Sequence, residues 1–222
     1  MKKIFTLSVF ISFLFIFNAE AQTKFGIRAG LSSASWKGDA VQSLNNLVTI
    51  TNGYVDTRGR TGFFAGGFAA IPVSDMVSIE PGLYYSQKGY ALQGNLEVNK
   101  LEFLGANARL QVQSHYIDVP LLLKVMPVKG LQLYAGPQVS YLVKNNMHVD
   151  AGILGFSLIN RNMDITDQFN PFDFAVVGGA GYKFDNGFSI TAGYDHGLSR
   201  LDKNSNFKSY NRVIKVGVGF EF

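Results

Sequence analysis

The sequence predicts an all-β fold: eight antiparallel strands in up-and-down order, closed into a barrel. Three observations predict it. Apolar residues recur at every second position in segment after segment, the period of a strand whose side chains alternate between two faces. The connections between those segments alternate short and long. Glycine is abundant, at 24 of 222 residues, while cysteine is absent and only 16% of residues are charged, against about 25% in ordinary soluble domains.

The segments follow in order. Lys24–Ser32 sets Phe25, Ile27, Ala29 and Leu31 opposite Gly26, Arg28, Gly30 and Ser32. Thr61–Ile71 is strand-like but leaves its parity open, because Phe63 and Phe64 are adjacent. Val77–Lys88 is the clearest, with Val77, Ile79, Pro81, Leu83 and Tyr85 on one face. Tyr116–Val125 sets Ile117, Val119, Leu121 and Leu123 against Asp118, Pro120, Leu122 and Lys124. Leu131–Lys144 sets Leu131, Leu133, Ala135, Pro137, Val139, Tyr141 and Val143 against Gln132, Tyr134, Gly136, Gln138, Ser140, Leu142 and Lys144. Asp173–Phe184 and Phe188–Leu198 alternate with small residues on the second face, and the final segment sets Ile214, Val216, Val218, Phe220 and Phe222 against Val213, Lys215, Gly217, Gly219 and Glu221. Short connections are expected around Pro72–Met76, Met126–Gly130 and Asp185-Asn186-Gly187, the last a strong hairpin signal. Long ones are expected at Ser33–Arg60, Gly89–Gln111, Asn145–Asn170 and Ser199–Tyr210.

The chemistry of the two faces decides the environment. A soluble barrel hides its apolar face inside. A membrane barrel turns that face to lipid and fills its interior with glycine, tyrosine, serine and charge. Here the second face carries Arg28, Glu80, Asp118, Lys124, Asp173, Lys183, Asp195, Lys215 and Glu221. These four bases and five acids are nearly balanced, too sparse for an aqueous exterior and suited to a narrow lumen. Aromatic residues gather at the strand ends, and the chain ends on Phe220 and Phe222, expected to form an assembly signal for the barrel-assembly machinery. The expectation is therefore a transmembrane barrel in the outer membrane of a Gram-negative cell, with periplasmic turns, extracellular loops and lipid around its wall. All strand edges must pair within the hydrocarbon, so the last strand is expected to close on Lys24–Ser32.

Export fits the start of the chain. Lys2 and Lys3 precede the apolar run Ile4–Phe17, and Ala19-Glu20-Ala21 offers a small-residue cleavage site. The run is shorter than the roughly 20 residues of a spanning helix. Residues 1–21 are expected to be a cleaved signal peptide, leaving 22–222 as the single barrel domain. A net charge of +4 spread along the chain is no nucleic-acid footprint.

Several stretches carry a resemblance to a known family. They are Val77-Ser78-Ile79-Glu80-Pro81-Gly82-Leu83-Tyr84-Tyr85-Ser86-Gln87-Lys88-Gly89, Tyr116-Ile117-Asp118-Val119-Pro120-Leu121-Leu122-Leu123-Lys124, Tyr134-Ala135-Gly136-Pro137 and Gly178-Gly179-Ala180-Gly181-Tyr182. The chain resembles the PorT-like outer-membrane β-barrels of Bacteroidetes-type bacteria. The resemblance implies an eight-stranded outer-membrane barrel, with a minority of relatives working in a secretion and gliding apparatus. It departs in one place: the family often carries Arg-Tyr in the seventh strand, where this chain has Gly193-Tyr194.

Enzymatic chemistry finds little support. Asp195 and His196 are neighbours along a strand and point to opposite faces; His115 and Ser114 meet the same objection, and His148 has no nearby nucleophile. No His, Asp or Glu cluster has metal-ligand spacing, and Gly178–Gly181 lacks the strand-turn-helix context of a phosphate loop. No cofactor is expected. The lumenal charges either line a solute or proton path or pair to fill the barrel. Pairing is favoured, because breaking a buried pair costs about 3–5 kcal/mol. Asn145–Asn170 holds Ile153, Leu154, Phe156, Leu158 and Ile159, an apolar set that suggests docking of another outer-membrane or surface protein, or else strands that run on past the membrane. The expected function is a non-enzymatic structural or interaction role in the envelope; the alternatives are a narrow channel and a lipid-modifying enzyme.

Overall fold

A computed structural model of the chain describes residues 23–38, 55–96, 106–153, 156–203 and 208–222. The proposed signal peptide lies outside them. Nine strands form one antiparallel sheet: β1 (Lys24–Gly38), β2 (Val55–Pro72), β3 (Val77–Leu96), β4 (Ala106–Val128), β5 (Leu131–Ile153), β6 (Phe156–Asp164), β7 (Phe172–Lys183), β8 (Phe188–Gly197) and β9 (Ser209–Glu221).

Eight of them close a ring. Each strand pairs with the next from β1 to β5, β5 passes to β7, and β9 returns to β1, with Gly26 opposite Glu221 and Gly38 opposite Ser209. The ninth, β6, stands outside the ring and among the described residues pairs with the upper part of β5, from Asn146 to Ile153. One alternative is met and one expectation is corrected here. Within Asn145–Asn170 strand five runs on past the membrane to Ile153 and turns into a β-hairpin with β6, followed by a short 3-10 turn at Thr166–Gln168. Gly89–Gln111 is largely strand, because β3 and β4 stay in register up to Leu96 opposite Ala106. Above the membrane the apolar residues no longer recur at every second position (Ile153 and Leu154, and Leu158 and Ile159, are adjacent), so the alternation disappears while the ladder continues.

The short turns gather at one end. Gly130 and Gly187 take φ values of 86° and 88°, the left-handed region open to glycine at little cost, and Asn186 Oδ1 accepts from the Phe188 N–H at 3.1 Å. The second strand's parity is settled as well: Phe63 faces outward and Phe64 inward.

Residues facing outward are greasy and exposed, Leu31 by 64%, Leu121 by 50% and Val218 by 57%. The outward positions Ile214, Val216, Val218 and Phe220 of β9, with Phe222 just after it, cover about the 9–11 residues that a tilted strand needs to cross hydrocarbon. Aromatic contacts mark both edges of this belt. Phe188–Phe220 and Tyr182–Phe184 lie at the short-turn end; Tyr141–Phe172 and Phe63–Tyr85 lie at the other.

Candidate functional site

All nine charged residues on the second face point into the barrel, and Lys88 joins them there. Lys88 carries the same even parity as Glu80 along one strand, so alternation alone marks it as lumenal. With it, five bases face five acids.

Two clusters hold most of this charge. In the lower one, Arg28 on β1 reaches past β2 to Glu80 on β3, with Nη1 2.9 Å from Oε1 and Nη2 3.3 Å from Oε2. Lys124 on β4 pairs with the same carboxylate, and Arg28 also donates to the Tyr84 hydroxyl at 3.2 Å. The Phe68 ring underlies both cations, 4.4 Å from the Arg28 guanidinium. Phe68 forms a buried group with Phe64, Ala70 and Tyr84, so the lower lumen is filled by rings as well as ions.

In the upper cluster Asp118 on β4 is fully buried. Lys88 lies 3.0 Å from its Oδ1, Lys215 lies 3.3 Å from its Oδ2, and the Ser86 hydroxyl donates to Oδ2 at 2.7 Å. Lys215 also lies 2.6 Å from Asp195 on β8. Higher still, Asn211 donates to Asp173 at 2.7 Å, and at the lower mouth Lys183 pairs with Glu221. Buried ions are tolerable when paired and hydrogen-bonded in this way.

These partners fill much of the lumen between the described residues. A central void of about 50 Å³ lies between Arg28, Tyr84, Tyr134, Gln138, Asp195 and Lys215. Below it opens a vestibule of about 440 Å³ that includes Lys124, Gln132, Lys183 and Glu221. Toward the upper end Trp36 stacks on Tyr90 at 5.3 Å and meets Phe169 at 5.8 Å; Ile165 and Leu201 are buried. Asn170 joins two connections there by donating to the Arg200 and Asp202 carbonyls at 2.8 and 3.1 Å.

Gly193 leaves room in the lumen for a ring from across the wall. Its inward position is filled by Tyr134, whose hydroxyl lies 2.6 Å from where a Cβ would stand and donates to the Ala192 carbonyl at 3.1 Å.

Of the remaining residues singled out in the sequence, Asp195 is buried in the lumen while His196 is exposed on the outer wall against Tyr194, so they form no dyad. Phe220 and Phe222 close β9 at the short-turn end, where the Phe222 N–H donates to the Phe25 carbonyl at 2.9 Å. Leu154 lies outside the described residues, as do the side chains of Ile153, Phe156, Leu158 and Ile159; the backbone places these last four in the β5–β6 hairpin. Among the described residues no group of three or more His, Asp or Glu is placed to hold a metal ion. At the exposed ends, hydrogen bonds from Thr166 hold the Asp164 carboxyl below its ordinary range, and the bond to Asp185 raises the Lys129 ammonium.

A ring of eight antiparallel strands, apolar outside and ion-paired within, defines a small outer-membrane β-barrel protein. The chain belongs to the outer membrane protein beta-barrel domain family, whose model matches residues 8–203. No match is found among curated proteins. Among solved structures it is similar to Neisserial surface protein A, at 13% identity over 90% of this chain and 99% of that one, TM-score 0.47. It is similar to Ail, the attachment invasion locus protein of Yersinia pestis, at 14% identity over 90% and 99%, TM-score 0.43. It also matches the outer membrane protease OmpT from Escherichia coli, at 11% identity over 90% and 97%, TM-score 0.34.

Proposed function

We propose that this protein is a sealed, non-enzymatic outer-membrane barrel that anchors an extracellular β-hairpin as an interaction surface within a larger envelope assembly. The observation that carries this reading is the bridge from Lys215 to Asp118 across the lumen, with a void of about 50 Å³ beside it. A wall so filled serves as a scaffold, and recognition then falls to the segments it holds outside the membrane. The PorT-like stretches favour an assembly of the secretion type. In the same reading residues 1–21 are removed on export and Phe222 engages the assembly machinery.

Planar-bilayer recordings on the refolded chain, paired with cross-linking in intact cells, test it. A silent bilayer together with protein neighbours cross-linked through the β5–β6 hairpin is the expected result. Discrete conductance steps that Glu80→Ala alters would establish the channel reading instead.

A further inference from the structure

On its outer wall, just above the apolar belt, the barrel carries a polar concavity of about 440 Å³. Arg60, Gln111, Gln113, Lys144, Asn146 and His148 line it. Parity places the residues of β4 and β5 there: Gln111 and Gln113 continue the outward row of Ile117 and Val119, while Ser114 and Val112 are buried on the inner side. The site begins where the greasy row stops.

Local structure builds it. A β-bulge shifts the register between β4 and β5, so that His115 faces Lys144 while Tyr116 faces Leu142. Val143 and Lys144 are consequently both exposed, and Asn145 turns inward. Without the extra residue Lys144 would fall on the lumenal side; bulges are a standard means of re-aiming a side chain. Arg60 reaches the same wall from β2. Its Nη1 donates to Gln111 Oε1 at 3.3 Å, and its aliphatic chain lies beside Gly89, where a Cβ would stand 3.0 Å from Cδ. Its Nε is buried without a hydrogen-bond partner. His148 is fixed by donating to Asn162 at 2.7 Å.

The lining therefore offers two cations and side-chain amides, and among the described residues no carboxylate is part of it. Asp164, opposite Asn146 in register, accepts hydrogen bonds from Thr166 and is close enough to Lys144 to feel its charge. At the floor, Tyr85 and His115 share a hydrogen bond, and Gln87 donates to the Tyr85 hydroxyl at 3.3 Å; Tyr85 stands at the level where acyl chains give way to headgroups. Arginine fits a phosphate with paired donors and lysine adds a point charge.

We propose that this concavity binds the phosphate-monoester headgroup of a lipid in the outer leaflet, with Arg60 and Lys144 on the phosphate and the amides on neighbouring hydroxyls. The chain is refolded in detergent, and its retention of dioleoyl phosphatidate and dioleoyl phosphatidylcholine is compared by native mass spectrometry. Inorganic phosphate is titrated separately, followed by the side-chain NMR signal of Arg60. The expected result is selective retention of phosphatidate, weakened about tenfold or more in the double variant Arg60→Gln, Lys144→Gln and unchanged in Lys129→Gln on the opposite rim. Heat-dependent gel mobility checks that every variant is folded. Equal retention of both lipids, or full retention by the folded double variant, overturns the proposal. An Arg60 response to inorganic phosphate without lipid selectivity overturns the lipid assignment in favour of a soluble anion.

Discussion

Lys215 on β9 lies 3.3 Å from Asp118 on β4, and these two strands stand four places apart around the ring in either direction. One ion pair thus spans the barrel from wall to wall. Eight strands give a cylinder whose interior side chains can just fill, and here they fill it with rings and charges that find each other across the axis. Because neither Asp118 nor Glu80 has water to retreat to, each makes its neighbours depend on it.

Glu80→Ala is expected to destabilise the folded barrel by about 3–5 kcal/mol, since it leaves Arg28 and Lys124 buried together without their shared counter-charge. Urea unfolding followed by the gel-mobility shift measures this. A cost near zero would mean that water reaches those cations.

Leu121→Arg places a charge in the middle of the apolar belt and is expected to cost about 2–4 kcal/mol in lipid. Gln113→Arg, two outward pairs above Ile117, is expected to be nearly neutral. Refolding into phospholipid vesicles compares the two, and equal yields would contradict the position of the belt.

Gly193→Ala is expected to destabilise by about 1–3 kcal/mol through overpacking against the Tyr134 hydroxyl. Tyr134→Phe alone removes a single hydrogen bond worth about 0.5–1.5 kcal/mol. Combined, the two are expected to cost less than their sum, because the second removes the atom that the first collides with. A double-mutant cycle on unfolding free energies gives the sign directly.

Deletion of 151–159 removes the tip of the β5–β6 hairpin. The ring is closed beneath it by β5 and β7, in register from Leu131 opposite Tyr182 to Tyr141 opposite Phe172. Barrel yield and gel mobility are expected to be unchanged while partners cross-linked through the hairpin are lost. Retained partners in the folded deletion would place recognition elsewhere on the surface.

Period-two alternation determined the all-β class, the outward face and the inward position of charges such as Arg28 and Lys215, because a strand has only two sides and lipid accepts only one kind of residue. It reached Lys88 too, two steps beyond Ser86 on the same face. It lost the strands above the membrane, where water tolerates either side chain and hydrogen bonding between backbones leaves no periodic trace; hence β6 and the long reach of β3 and β4. Partnership lay beyond it altogether. Which base meets which acid depends on the stagger at which the sheet closes, and that stagger brings together residues as far apart as Asp118 and Lys215. The bulge at Leu142–Lys144, which turns one lysine from the lumen to the outer wall, is likewise a property of two paired strands and of neither alone.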